Sequence, residues 1–149
     1  RKKGPPSIGE QAVSVTTPTR ESVAGDLAKI DTRVPPSSLH EDNLADVLGK
    51  RPVVLAFATP ALCQSRTCAP VIDIAEQVKA RYGKQAAFIH MEIYKQNKVQ
   101  SGFRPQVAAY RLPTEPWLFV INAKGVVVDR FEGAFSAREL AVAVAKVVD

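Results

Sequence analysis

The stretch that decides the fold is PVVLAFATPALCQSRTCAPV, residues 52–71. It contains a continuous apolar run, residues 53–58, between two prolines. Such a run is typical of a strand that is buried on both faces and is therefore central in its sheet. The two cysteines of the chain, Cys63 and Cys68, follow where this strand is expected to lead into a helix. Because a helix N-terminus offers free N–H groups and a partial positive charge, it favours the thiolate, which is the reactive form of cysteine.

The segments around this stretch alternate between strand and helix patterns. Upstream, Ser38 is predicted to cap a short helix that ends at Gly49. Downstream we expect, in chain order, a helix over residues 70–82 ended by Gly83, a second central strand over 86–94, a short helix over 105–110, two strands over 117–122 and 126–131, and a last helix capped by Ser136. The three residues between the last two strands are typical of a hairpin.

This order of elements predicts an α/β fold. Alternation of strands and helices favours parallel pairing of the first three strands, while the hairpin adds an antiparallel pair. The expected result is a mixed sheet flanked by helices on both faces. Residues 1–36, rich in Pro, Ser, Thr and Gly, are predicted to form an extended N-terminal arm on the surface of a domain made by residues 37–149, with one short strand near residues 12–15.

Composition narrows the classes of function. The chain has 149 residues and a net charge of +5, and Arg1, Lys2 and Lys3 carry three of its positive charges. No basic stripe is interleaved with aromatic residues, so nucleic-acid binding is not expected. No apolar run approaches the roughly 18 residues of a membrane span. Since the chain begins with Arg1 and not Met, we expect a processed or trimmed product. We also expect a monomer that acts outside the cytoplasm, secreted or tethered by an N-terminal membrane anchor.

Four features together resemble the thioredoxin-like superfamily, over residues 44–148. They are the first strand running into a cysteine-bearing helix, Pro70 where that family often has a kinking proline, Pro116 where it has a cis-proline before a strand, and the closing hairpin with Gly133 before the last helix. The resemblance implies a thioredoxin-like fold. It also implies that Pro116 is cis and lies beside the thiols, where the preceding backbone could pair with an incoming peptide.

The chain departs from that family's pattern at the site itself. The family carries CxxC, whereas Cys63 and Cys68 form CxxxxC. The family's buried acid falls near Ala56 and is therefore missing. Glu115, directly before Pro116, is unusual for the position. It is either a proton acceptor for the resolving thiol or a solvated acid that lowers thiol reactivity by repulsion.

The cysteine segment also resembles the peroxiredoxin Q type. In that family a Thr-Pro-Gly-Cys segment is followed by a resolving cysteine five residues after the peroxidatic one. Thr59 lies four residues before Cys63 instead of three, and residues 114–117 lack the arginine that peroxiredoxins place there. This resemblance implies a thiol peroxidase in which Cys63 passes through a sulfenic acid before Cys68 closes the disulfide.

Residues five apart in a regular helix differ by about 140° around its axis, which is too far for a disulfide. A bond between Cys63 and Cys68 therefore requires Cys63 to precede the helix, or the first helical turn to unwind. Cys63 would then be the exposed nucleophile and Cys68 the resolving thiol. The alternative is a core cysteine at 68 and an unpaired thiol at 63.

Two cysteines and a histidine can also bind copper, as in Sco-like chaperones that share the fold. We expect instead that His90 is a satisfied strand residue and that His40 lies at a helix N-terminus, with no metal and no organic cofactor. The favoured function is a thiol–disulfide oxidoreductase that acts on protein thiols or disulfides. The alternatives are the peroxidase, acting on peroxide, and a non-catalytic module that binds copper or a partner protein along the edge at Pro116.

Overall fold

Strand β1, Val53–Phe57, is the centre of a four-stranded sheet in the computed structural model, which describes residues 4–63 and 65–148. The sheet also contains β2 (Ala87–Met91), β3 (Trp117–Ile121) and β4 (Val127–Glu132), in the order β2-β1-β3-β4. The helices are α1 (Leu44–Val47), α2 (Cys68–Tyr82), α3 (Pro105–Ala109) and α4 (Ala137–Ala145), with short 3₁₀ segments at Leu27–Lys29, Lys95–Asn97 and Val99–Ser101. The basic tail, Arg1, Lys2 and Lys3, lies outside the described residues.

The apolar run predicted to be a central strand is confirmed as one. All five residues of β1 are buried, and the strand pairs parallel with β2 and antiparallel with β3. One face of the sheet packs on a cluster that includes Phe57, Tyr110 and Phe119. The other face packs on α2 and α4 through a cluster that includes Cys68 and Leu140. The predicted mixed sheet flanked by helices is therefore confirmed.

Two predictions about the sheet are wrong. Strand β2 is an edge strand, not a central one, and its five residues are buried because residues 37–40 cover it; the His90 N–H donates to the Leu39 carbonyl at 2.9 Å. Strand β3 is antiparallel to β1, not parallel. Helix α3 has five residues and spans about 7.5 Å, much less than a strand of about 17 Å, so it is not the long crossover helix that usually joins parallel strands. The chain re-enters the sheet at the end where β2 leaves it, so both Met91 and Trp117 pair with Phe57.

One of the two predicted helix caps is confirmed and the other is wrong. Ser136 caps α4, and its hydroxyl accepts from the Glu139 N–H in a capping box, as predicted. Ser38 caps no helix, because residues 38–43 are not helical and α1 begins at Leu44, with the Asn43 side chain accepting from the Ala45 N–H. The hydroxyl of Ser38 donates instead to Glu76 on α2.

The β3–β4 hairpin is also present as predicted. Gly125 in its turn has φ 86°, a conformation that favours glycine over residues with a side chain. The short strand predicted near residues 12–15 is wrong, because the described arm makes a single bridge there, between Gln11 and Val126. None of the helices in the two described ranges is long and apolar enough to cross a membrane.

Candidate redox site

The sulfur atoms of Cys63 and Cys68 are bonded, and their Cα atoms lie 5.9 Å apart. Cys63 lies in the irregular segment that leaves β1, and Cys68 is the first residue of α2. The chain therefore meets the requirement that a CxxxxC disulfide imposes, namely that one cysteine precedes the helix. The bond lies at the helix N-terminus, where the helix dipole stabilises a thiolate.

The two cysteines differ in their exposure to solvent. Cys63 is partly exposed, whereas Cys68 has 0% exposure and packs with the core between the sheet and α2. An external thiolate can therefore reach Cys63 and not Cys68. Attack on Cys63 releases Cys68 as the leaving thiolate at the start of α2, where the partial positive charge favours it.

Ser65 connects the cysteine loop to the segment before β3. Its Oγ lies 3.2 Å from Cys63 Sγ, 2.9 Å from Thr67 Oγ1 and 3.3 Å from the carbonyl oxygen of Glu115. A carbonyl can only accept, so the Ser65 hydroxyl is the donor in that last contact. One rotation of this hydroxyl takes its proton from the Glu115 carbonyl to the sulfur.

The Glu115–Pro116 bond is cis, as the resemblance implies, and Pro116 is buried. Through Ser65, the structure brings the backbone of Glu115 to the cysteine loop. The Glu115 carboxylate contributes to the raised pKa of Tyr94, after the larger effect of burial. The proton-acceptor role of Glu115 stays a prediction.

Comparison with solved structures identifies the architecture. A candidate thiol:disulfide interchange protein DsbE from Chlorobium tepidum superposes with a TM-score of 0.65, at 17% identity, over 97% of this chain and 99% of that one. The chain has a thioredoxin-like fold. A candidate protein disulfide isomerase from Bacteroides thetaiotaomicron matches this thioredoxin-like chain with a TM-score of 0.66, at 13% identity, over 99% and 94% of the two chains.

The exposed lipoprotein thioredoxin of Streptococcus pneumoniae strain TIGR4 is similar over a smaller part of the thioredoxin-like chain. Its TM-score is 0.54, at 13% identity, over 70% of this chain and 90% of that one. No protein-family model matches the sequence, and neither does any curated protein. At these identities the comparisons establish the fold, and the chemistry depends on the residues of the site.

A buried polar cluster lies on the same sheet face of this thioredoxin-like domain as Cys68, and sequence reasoning missed it. We call Asp31, His40 and His90 the His–Asp cluster. His40 Nε2 lies 2.7 Å from Asp31 Oδ2, and His90 Nδ1 lies 3.4 Å from the same oxygen. His90 Nε2 donates to the Ala58 carbonyl at 2.9 Å. His40 is thus a buried neighbour of His90 and not a helix N-terminal residue, because α1 begins only at Leu44 and has Asn43 as its N-cap.

Within the His–Asp cluster, Asp31 and His90 each stabilise the charged form of the other. Burial alone would raise the pKa of Asp31, but hydrogen bonds with His40 and His90 outweigh it and hold that pKa well below its usual range. Burial alone would lower the pKa of His90, but its hydrogen bond and charge interaction with Asp31 raise it. The pairing register places His90 beside Ala56, the residue near which the family resemblance locates the missing buried acid.

A second buried acid, Glu92, connects this region to the cysteine loop. Its Oε2 accepts from the Thr32 N–H at 2.7 Å and from the Thr32 hydroxyl at 2.9 Å. The same Thr32 oxygen accepts from the Ala61 N–H at 3.0 Å, two residues before Cys63. Through Thr32, the arm therefore braces the redox loop, the segment between β1 and α2 that carries Cys63. The sequence signal that could have revealed this was the acid at 92 directly after an apolar strand.

Proposed function

We propose that the protein is a thiol–disulfide oxidoreductase whose redox pair is Cys63 and Cys68. One observation carries the proposal: a disulfide at the start of α2 joins a partly exposed cysteine to a fully buried one. Such asymmetry assigns one cysteine to attack the substrate and the other to resolve the intermediate. No organic cofactor takes part, since the two sulfurs hold both electrons that are exchanged.

In the reduced protein, the Cys63 thiolate attacks a substrate disulfide. A Cys63–substrate disulfide forms, and one substrate thiolate leaves. Cys68 then loses its proton and attacks Cys63 Sγ, which restores the intramolecular disulfide and releases the second substrate thiolate. The substrate has gained two electrons and the protein has lost them. The same steps in reverse oxidise a substrate dithiol.

Glu115 and Pro116 are proposed to contact the substrate. The Glu115 carbonyl oxygen lies 3.3 Å from Ser65 Oγ, which itself lies 3.2 Å from Cys63 Sγ. A peptide bonded to Cys63 therefore passes within reach of this carbonyl, which can accept a hydrogen bond from a peptide N–H. When Ser65 donates to the Cys63 thiolate, the carbonyl is left open to that peptide.

Protein thiols and disulfides in a compartment outside the cytoplasm are the proposed substrates. Disulfide chemistry of this type persists where the surroundings are oxidising. The similarity to a pneumococcal exposed lipoprotein thioredoxin supports the same location.

The test follows insulin reduction by a dithiol, with wild type, Cys63→Ser and Cys68→Ser compared. We expect turnover in the wild type only, and a mixed disulfide with insulin that accumulates in Cys68→Ser, because the resolving thiol is missing. Cys63→Ser is the matched control and traps nothing. A wild type that reduces insulin no faster than Cys63→Ser, yet oxidises rapidly with hydrogen peroxide, would replace this proposal with the peroxidase.

A further inference from the structure

Segment 31–40 and strand β2 together place four polar atoms around one point beneath the protein surface. Asp31, Ser37 and His40 come from the segment, His90 comes from β2, and each of the four residues is at most 3% exposed. Ser37 Oγ lies 3.3 Å from His40 Nε2 and 3.4 Å from His90 Nδ1. The ligand atoms of the His–Asp cluster lie within 4.8 Å of one another.

These separations are longer than good hydrogen bonds require. Hydrogen bonds between such groups are centred near about 2.9 Å, and most of these contacts measure 3.3–3.4 Å. Four atoms at about 2.1 Å from a tetrahedral metal ion lie about 3.4 Å from each other. The 2.7 Å contact between His40 Nε2 and Asp31 Oδ2 is shorter, so the binding of an ion requires the His40 ring to move away from this oxygen.

The histidine of β2 is held in the orientation that a metal ligand needs. His90 Nε2 donates its hydrogen to the Ala58 carbonyl at 2.9 Å, so in the neutral ring the lone pair is on Nδ1, which faces Asp31. Metal-binding histidines almost always donate their second N–H to a carbonyl or carboxylate in this way. The carboxylate is fixed as well, because Asp31 Oδ1 accepts from the Arg33 N–H at 2.8 Å.

We propose that Asp31, His40 and His90 bind one divalent transition-metal ion of the zinc type, which fastens segment 31–40 to the edge of β2. Two imidazole nitrogens and one carboxylate oxygen suit zinc and exclude magnesium or calcium as preferred ions, since those ions take oxygen ligands. Ser37 Oγ is placed as the fourth neighbour. No sulfur is involved, so the site is separate from the redox pair and does not depend on the proposed function.

The metal would act on the structure, not on a substrate, because the site is buried. An ion can enter only when segment 31–40 lifts from β2. Since the lifted segment no longer gathers the ligands, metal binding would stabilise the folded arrangement by mass action. The competing arrangement is a metal-free cluster in which a protonated His90 pairs with Asp31, while Arg104 lies near the remaining acid, Glu92.

The experiment uses untagged protein with its disulfide intact, so that no thiol can bind metal. The protein is unfolded by denaturant, and EDTA removes any bound metal. It is then refolded with excess Zn²⁺ or Co²⁺ in place of EDTA, and unbound metal is removed by gel filtration. We expect one ion per chain by elemental analysis, the visible spectrum of tetrahedral Co²⁺, and a thermal midpoint raised by about 5 °C or more relative to metal-free protein.

Variants locate the ion. His90→Gln keeps an amide that can donate to the Ala58 carbonyl, and Asp31→Asn keeps the shape of the carboxylate; each should lower metal uptake at least fivefold and abolish the shift in midpoint. Glu76→Gln is the matched control, because Glu76 also fastens the segment, by accepting from the Ser38 N–H at 2.7 Å, but offers no ligand to the site. It should take up a full equivalent.

Two results would overturn the proposal. If refolded wild type takes up less than about a tenth of an equivalent, the cluster is a buried ion pair only, and this result needs no variant to fold. If His90→Gln and Asp31→Asn bind as much metal as the wild type, the ion lies elsewhere. Neither result bears on insulin reduction, so the metal site and the redox function are tested independently.

Discussion

The hydroxyl oxygen of Ser65 lies 3.2 Å from the sulfur of Cys63, inside the loop that the disulfide closes. The extra residues of a CxxxxC loop therefore bring a hydrogen-bond donor to the nucleophilic sulfur. Thr67 Oγ1, 2.9 Å from Ser65 Oγ, can in turn donate to that oxygen and leave the Ser65 proton for the sulfur.

Replacing Ser65 with Ala should make Cys63 less reactive. A hydrogen bond to a charged group contributes about 1.5–3 kcal/mol, and exposure places this one at the lower end. The expected loss is about tenfold in thiolate at neutral pH, seen as an upward shift of about one unit in the pH midpoint of iodoacetamide alkylation. The measurement uses the Cys68→Ser background, where Cys63 is the only thiol.

Thr67→Val is the matched control for Ser65→Ala. Its hydroxyl touches Ser65 and not the sulfur in the described structure, so its alkylation midpoint should move by less than half as much. Equal midpoints in the Cys68→Ser protein with and without Ser65→Ala would show that the hydroxyl does not stabilise the thiolate.

Replacing Thr32 with Val should loosen the redox loop. The change removes the hydroxyl that donates to Glu92 and accepts from the Ala61 N–H, so the buried Glu92 carboxylate loses one of its two bonds from residue 32 and the cysteine loop loses its bond to the arm. The expected cost is about 1–3 kcal/mol in the free energy of unfolding, with faster amide exchange at Ala61. Thr19→Val removes an exposed hydroxyl and should cost less than about 0.5 kcal/mol. A Thr32→Val protein as stable as Thr19→Val would contradict this bracing.

Local patterns were enough to predict the elements that carry the two cysteines. An uninterrupted apolar run between prolines defines β1, and the spacing of apolar residues after Pro70 defines most of α2. The Ser136 cap is equally local, because its partner, Glu139, is three residues away. Each of these depends on contacts within a few residues, which a sequence displays directly.

The errors come from contacts between distant segments. The hydrogen bond from Thr32 to Glu92 spans 60 residues, and no local sequence pattern near either residue predicts it. The position of β2 at an edge depends on the cover that residues 37–40 provide, and the direction of β3 depends on the short length of α3. Asp31 and His40 were missed because the segment that carries them was interpreted as surface arm and helix cap, whereas the structure buries both.

Glu115→Gln separates the two roles left open for this residue. We expect activity within about twofold of wild type and an unchanged pH profile, because the described contact with the cysteine loop uses the Glu115 backbone carbonyl, which the substitution keeps. The readouts are kcat and KM for insulin reduction as functions of pH. A loss of kcat greater than tenfold, together with the disappearance of one ionisation from its pH profile, would assign the carboxylate as proton acceptor for Cys68 instead.

Tyr110 fastens the arm from inside the core, and its replacement by Phe should change stability with a sign that depends on pH. The ring is fully buried, and its hydroxyl donates to the Val13 carbonyl at 2.6 Å. At neutral pH the variant loses this bond, at an expected cost of about 1 kcal/mol in the free energy of unfolding.

At alkaline pH the difference should shrink and then reverse. Burial raises the pKa of Tyr110 above its ordinary value of 10.0, so the folded chain keeps a proton that the unfolded chain releases. The wild type therefore holds this contribution below about pH 10 and loses it as the pH rises further, by up to about 1.4 kcal/mol per pH unit, whereas the Phe variant has no such proton to lose. Urea unfolding of both proteins from pH 7 to pH 11.5 measures the difference; if it remains constant over that range, the buried phenol does not hold its proton as the structure requires.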